Sequence, residues 1–389
     1  MREFEIVVYG ATGFTGELVA EYLARAHADG PIRWAMAGRS LTKLEAVRAR
    51  VGAPADTPLI TANADDPASL RAMAERADVV LTTVGPYQLY GADMVAACVA
   101  AGTGYVDLCG EPAWMRHMID AHQAAAAASG ARIVFSCGFD SIPFDLGVWA
   151  LQEAAIARFG RPAPRVKGRV VTMKGGFSGG TAASLKATLA AAARDPGVIK
   201  LLTDPFALTP GFEGPAQPNG MIPHYDAAVS AWVAPFVMAA INTKNVHRTN
   251  ALLGHHWGTD FTYDEMMVAP GIGEMGKAAA EAIAKINPLA DPNGPKPGEG
   301  PSREERESGH YEVLFVGEMP GGETIRATVK GDRDPGYGST SKMIAETALC
   351  LARQVPAEGK GGVWTPGGLM AAPLKARLEA YAGLSFSVE

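Results

Sequence analysis

The stretch EIVVYGATGFTGELVAEYLA, residues 5–24, constrains the fold of this chain more than any other. An apolar run at 4–9 enters a turn carrying Gly10, Gly13 and Gly16, and a helical pattern begins at once. Such a strand, glycine turn and helix let the backbone approach an anion, and the helix start adds N–H donors and a positive dipole. The spacing is G-x-x-G-x-x-G rather than G-x-G-x-x-G, so the context has to carry the reading. That context is present, because a second strand ends 23 residues beyond Gly16. The turn from Gly10 through Ala11, Thr12, Gly13, Phe14 and Thr15 to Gly16 is therefore expected to hold the pyrophosphate of a dinucleotide.

The same alternation continues along the first 145 residues. Apolar runs at 4–9, 32–37, 58–61, 78–84, 105–108 and 132–136 alternate with alanine-rich helical segments near 15–27, 67–77, 91–101 and 113–129. Short, nearly continuous apolar strands joined by helices predict a parallel sheet covered on both faces, hence a doubly wound α/β domain of Rossmann type. Residues 146–337 differ in character and are expected to form a substrate or dimerisation domain. They hold a β-rich run at 165–173, a helix from about Thr181, and strands at 310–319 and 323–331 joined by Pro320-Gly321-Gly322. Breaker-rich segments at 195–225 and 287–309 are expected to be mobile. An amphipathic helix at 339–355 opens a final stretch, 338–389, expected to pack back on the first domain.

The second strand ends in WAMAGRSLTKL. A chain selecting NAD places an acid here for the ribose 2′-hydroxyl, whereas this one has Arg39, then Ser40, with Lys43 one turn on. A guanidinium attracts a 2′-phosphate and grips it through two donors, so NADP(H) is the expected cofactor. Asp65, after the third strand, is placed beside an adenine ring. Val84, Gly85, Pro86 and Tyr87, after the fourth, are placed beside the nicotinamide half.

A net charge of −6 argues against a nucleic-acid surface. Four separated cysteines without a C-x-x-C pair read as reduced thiols, and no signal peptide is visible, so a cytoplasmic protein is expected. No metal site is expected: His255 and His256 are adjacent, and His117 and His122 are five apart. The apolar stretch 227–241 is too short to span a bilayer and reads as a buried helix, with a peripheral lipid contact or a homodimer contact as its alternatives.

GATGFTG, AGRS, VGPY, YVDLCGEP, CGFDSIPFDLG and SGGTAASL together resemble the saccharopine dehydrogenase-like oxidoreductases, and most of all the branch of bacterial trans-acting enoyl reductases. The likeness continues through PGYGSTSKMIAETALCLA and GGVWTPGGLM, with Cys109 standing where a threonine is expected. The resemblance implies a Rossmann domain, an inserted α/β domain on a largely antiparallel sheet, and reduction of a C=C bond in a lipid or polyketide intermediate.

Hydride chemistry leaves the protein to orient the acceptor and to supply a proton. A short-chain dehydrogenase would need lysine four residues after a tyrosine, and none of the ten tyrosines has it. The remaining candidates near the carboxyl ends of the strands are Tyr87, Cys137 and Asp140. Glu111 and Ser141 stand where a helix cap is the simpler role. The apolar segment at 223–243 suits an acyl-type substrate. Two alternatives stay open: a saccharopine-type imine or amino-acid reductase, which needs basic side chains in the cleft, and a nucleotide-binding scaffold at lipid surfaces without turnover.

Overall fold

The computed structural model describes residues 2–25, 30–175, 179–286, 299–356 and 358–389. Strands β1 (Phe4–Tyr9), β2 (Trp34–Gly38), β3 (Leu59–Thr61), β4 (Ala77–Thr82), β5 (Gly104–Val106) and β6 (Arg132–Val134) come from the first part of the chain. They are followed by β7 (Arg165–Lys174), β8 (His224–Asp226), β9 (Ala231–Pro235), β10 (Thr262–Val268), β11 (His310–Glu318) and β12 (Thr324–Gly331). Near the carboxyl terminus lie β13 (Gly362–Trp364) and β14 (Leu384–Val388).

The first sheet has the order β13-β6-β5-β4-β1-β2-β3 and is parallel throughout. Its strands are buried on both faces, as their unbroken apolar sequences require. Because β1 pairs with β2 on one side and β4 on the other, the strand order reverses there and opens a crevice at the carboxyl ends. The second sheet runs β14-β12-β11-β7-β10-β9-β8. Only β7 and β10 pair in parallel; the other neighbours are antiparallel.

A helix at Ile142–Phe159 runs across position 145 and packs against β11 and β12. Phe144 meets the Phe315 ring edge-on at 6.5 Å, and one apolar core continues from the first sheet through this helix to the second. The helix Thr340–Arg353 covers β1, β4 and β5. The carboxyl-terminal stretch is divided: β13 extends the first sheet, whereas β14 pairs with β12 in the second.

Three segments differ from their sequence reading. Residues 227–241 are not one helix: β9 occupies 231–235 in the second sheet, and helix begins only at Ala239. A short apolar run carries no period that separates strand from helix. Segment 195–225 is partly built into the fold, with a helix at Pro196–Thr203 and buried Phe206, Ala207 and Leu208. Of 287–309, residues 287–298 lie outside the described ones, and Arg303–Ser308 forms a helix closed by a Ser302–Glu305 capping box. The helix Leu41–Arg50, absent from the sequence reading, starts at Ser40, whose Oγ accepts from the Lys43 N–H at 3.4 Å. Among the described residues, no helix is long and apolar enough to cross a membrane.

Candidate functional site

A cleft of about 670 Å³ opens at the carboxyl ends of β1 and β4 and continues between the sheets. One end is walled by Gly10, Thr12, Gly13, Phe14 and Thr15. Gly10 has φ +91°, and Gly16 sits where a Cβ would come within 2.1 Å of the Gly10 carbonyl oxygen. The turn therefore closes this tightly only with glycine at both positions. Ala11 and Gly16 are buried behind the wall and pack the turn onto the sheet. The helix Phe14–Ala24 begins at Gly13 with no side-chain cap, so its amino end is open toward the cleft for an anion.

Arg39 is exposed at the lip, with Asp65 across from it and Tyr9 beneath. Both charges act on the Tyr9 hydroxyl, which burial pushes up to about 12. Among the described residues the Arg39 guanidinium makes no hydrogen bond or ion pair, so its donors are available to a ligand. Ser40 caps the following helix, and Lys43 is exposed on its first turn. Val84, Gly85, Pro86 and Tyr87 line the middle of the cleft.

The Tyr87 hydroxyl donates to the Thr82 carbonyl at 3.2 Å and accepts from the Leu108 N–H at 3.0 Å. Burial, reinforced by Asp107, holds its proton far above the ordinary tyrosine range, and that proton is aimed at backbone rather than at the cleft. Tyr87 thus walls the cleft with its ring. Cys137 corrects the sequence reading outright. It is fully buried, its Sγ lies 3.4 Å from the Val134 carbonyl, and burial drives its thiol far up. Cys137 packs the core and does not line the cleft.

Asp140 does line it, between Phe139 and the first turn of the helix Ala239–Leu252. Its Oδ1 is shielded and has no hydrogen-bond partner, and burial raises the carboxyl to about 7. Ser141 stands at the cap position of the next helix, yet its Oγ accepts from Asn245 instead.

Glu111 caps a helix the sequence did not pair it with. Its Oε1 accepts from the Tyr87 N–H at 2.9 Å and its Oε2 from the Gln88 N–H at 2.8 Å, closing the short helix Tyr87–Tyr90. The Ser184 hydroxyl adds a bond of 2.8 Å to Oε1, tying the helix Gly179–Ala192 across the cleft. Sequence reasoning also missed Tyr337, whose ring meets Phe14 at 4.7 Å, and the wall residues Leu185 and Leu202, whereas Val237, Met238 and Ile241 beside them belong to the segment read as an apolar cleft lining. His255 stacks on Phe212 at 4.3 Å, and His224 lies on the exposed edge strand β8. Among the described residues no group of three His, Cys, Asp or Glu is placed to hold a metal.

Four buried carboxyls are lifted by burial, Asp107, Asp140 and Asp145 to about 7 and Glu265 to about 8. Each binds its proton more tightly folded than unfolded, so the stability it contributes is complete at acid pH and lost as pH rises through its folded value. Below about pH 6.5 the buried neutral His247, lowered to about 3, acts in the opposite sense. Above about pH 8, Lys244, lowered to about 8, does the same. Stability is therefore expected to fall between pH 6.5 and 8, by roughly 3 kcal/mol. Chemical denaturation at a series of pH values checks this; a flat or rising curve over that window contradicts it.

The comparisons with known proteins follow this geometry. The family described as saccharopine dehydrogenase NADP binding domain matches residues 6–134, which carry the glycine turn, Arg39 and Tyr87. A Mycobacterium tuberculosis relative is 43% identical over 99% of this chain and 97% of its own. The trans-acting enoyl reductases of Mycobacterium bovis and Mycobacterium leprae are 40% and 38% identical, each over 97% of this chain and 96% of their own. Among solved structures, the apo saccharopine dehydrogenase (L-Glu forming) of Saccharomyces cerevisiae superposes with a TM-score of 0.56 over 99% of both chains at 12% identity, a likeness of fold. The open helix start and the glycine cradle fit a dinucleotide, and the matched domain is NADP-binding. This chain therefore belongs to the saccharopine dehydrogenase-like oxidoreductases, in the branch of the trans-acting enoyl reductases, and is an NADP-dependent oxidoreductase.

Proposed function

We propose that the enzyme saturates the C=C bond of an apolar, acyl-type enoyl substrate, with Asp140 as the proton donor. The observation that carries this reading is the charge of the cleft wall. Among the described residues lining it, the charged side chains are Arg39 and Asp65 at one end and Asp140 at the other. No cation faces the half that holds Asp140, where a multiply charged amino acid would need several. Leu108, Leu185, Leu202, Val237, Met238 and Ile241 stand there instead and suit an apolar chain. The names of the mycobacterial relatives support the same reaction class.

In this reading Gly10, Gly13 and the open start of the helix Phe14–Ala24 hold the pyrophosphate of NADP(H), and Arg39 holds its 2′-phosphate. When bound, NADPH supplies the hydride. The chain's own part is to orient the acceptor along the apolar wall, keep water out, and deliver a proton from the Asp140 carboxyl. A carboxyl lifted to about 7 carries that proton at neutral pH, as a general acid must.

A panel of α,β-unsaturated acyl thioesters tests it, alongside 2-oxo acids offered with amino-acid amines. NADPH oxidation with the apolar thioesters and none with the charged pairs is expected. Turnover restricted to the charged pairs would favour the imine-reductase alternative.

A further inference from the structure

Glu265 lies in β10, fully buried, and among the described residues it makes no ion pair. A glutamate at that depth ordinarily has a cation beside it. Its oxygens are held instead by neutral donors, the Tyr263 hydroxyl at 2.9 Å on Oε1 and the Asn242 amide at 2.9 Å on Oε2. Gly168, its neighbour in register on β7, leaves room for this, since a Cβ there would stand 2.7 Å from the Tyr263 oxygen and 3.1 Å from the Glu265 Cγ.

Asn242 belongs to the helix Ala239–Leu252, and the residue before it, Ile241, lines the cleft. Three residues on, Asn245 donates to the Ser141 Oγ at 2.8 Å. Positions three apart share a helix face, so one turn of this helix covers both Glu265 and the Asp140–Ser141 segment. Asn242 and Asn245 are fully buried, and the Oδ1 of each has no donor. The Oδ1 of Asp140 has none either. A buried acceptor left without a donor loses its water without replacement and destabilises the arrangement. Reversing the Asn242 amide turns its oxygen toward Glu265, which is favourable only if Glu265 itself carries a proton. A proton on Glu265 thus supplies the donor that the Asn242 oxygen lacks.

We propose that Glu265 is a positioning residue for proton chemistry at the cleft, forming with Asp140 a coupled carboxyl pair in which ionisation of one member tightens the other's hold on its proton. The proposal rests on the reading of Asp140 as the acid. The groups facing Glu265 are Tyr263 and Asp264 on its own strand, Asn242 on the covering helix and Asp140 on the loop. Arg169 on β7 is spent on Asp226 at 2.8 Å and on Asp264 at 2.9 Å, and Arg165 pairs with Asp264 as well, so neither arginine reaches Glu265. Burial is the main cause of the high value at Glu265, and the Asp140 and Asp264 charges add to it. In such a pair the two protons leave in steps that belong to the pair.

Infrared titration of the full-length protein without nucleotide tests the pair, reading the carbonyl stretch of protonated carboxyls in the wild type, Asp140→Asn and Glu265→Gln. Asp107 and Asp145 contribute equally to all three and cancel in differences. In Asp140→Asn the Glu265 carboxyl, the later of the two to ionise, is expected to lose its proton about 0.5 to 1 pH unit lower than in the wild type, a three- to tenfold weaker hold, whereas in Glu265→Gln the Asp140 midpoint, set while its partner is still neutral, stays nearly in place. A Glu265 midpoint that stays in place in Asp140→Asn overturns the pair. Because coupling is reciprocal, Asp140→Asn alone decides the matter should Glu265→Gln fail to fold. Undiminished turnover in Asp140→Asn would instead sink the proposed function and leave the infrared result to stand by itself.

Discussion

Asparagine in place of Asp140 is expected to lower turnover at pH 7 by about 10²- to 10³-fold while NADPH binding stays within about twofold of the wild type. The change keeps the size and shape of the side chain and removes only the proton it can give. Asp140 stands in the half of the cleft away from Arg39, so the nucleotide-holding turn is untouched. In the wild type, activity should decline as pH rises through about 7, where the carboxyl ionises. The variant's residual rate should lose that limb. Single-turnover kinetics across pH measure both effects, and a variant that keeps its rate together with the limb would show that the proton comes from elsewhere.

The second large effect is expected at Arg39. Its guanidinium lies at the lip of the cleft, and truncation to alanine removes charge-assisted bonds worth about 1.5–3 kcal/mol to a phosphate. NADPH affinity should fall by about 10- to 100-fold, while NADH, which lacks the 2′-phosphate, should bind almost as before. Paired fluorescence titrations of the two nucleotides measure the difference. Equal losses for both would mean that Arg39 shapes the site without reading the phosphate.

The glycine turn and the Arg39 lip of the cleft were legible in the sequence because their logic is local. Gly10, Gly13 and Gly16 fall within one turn, and Arg39 closes the next strand, so motif and position are read together. Asp140 was legible as a candidate for the same reason, since it follows the sixth strand of the alternating pattern. What surrounds it was not. Asn242 and Glu265 arrive from elements more than a hundred residues later, and only the packing of the second sheet against the first brings them near. Cys137 shows the converse error, because a position at a strand's carboxyl end admits a side chain facing the core as readily as one facing the cleft. Glu111 shows that a capping signal names the residue but not the helix. It holds Tyr87 and Gln88, 24 and 23 positions upstream, rather than the helix it begins. The run at 227–241 failed as a helix because its apolar residues are consecutive, and consecutive apolar residues fit a strand buried on both faces equally well.

The division of the last residues between two sheets has a consequence for how the molecule is made. β6 waits for β13 to cover its outer edge, and β12 waits for β14. A chain that stops at residue 360 therefore lacks the outermost strand of each of the two layers. Both strands come from residues 362–388, and the Asp145 carboxyl, which accepts from the Gly367 N–H at 2.7 Å, fastens that stretch to the helix between the two sheets. A cut before residue 362 therefore takes an outer strand from both sheets at once, and a cut between residues 365 and 383 takes one from the second sheet alone.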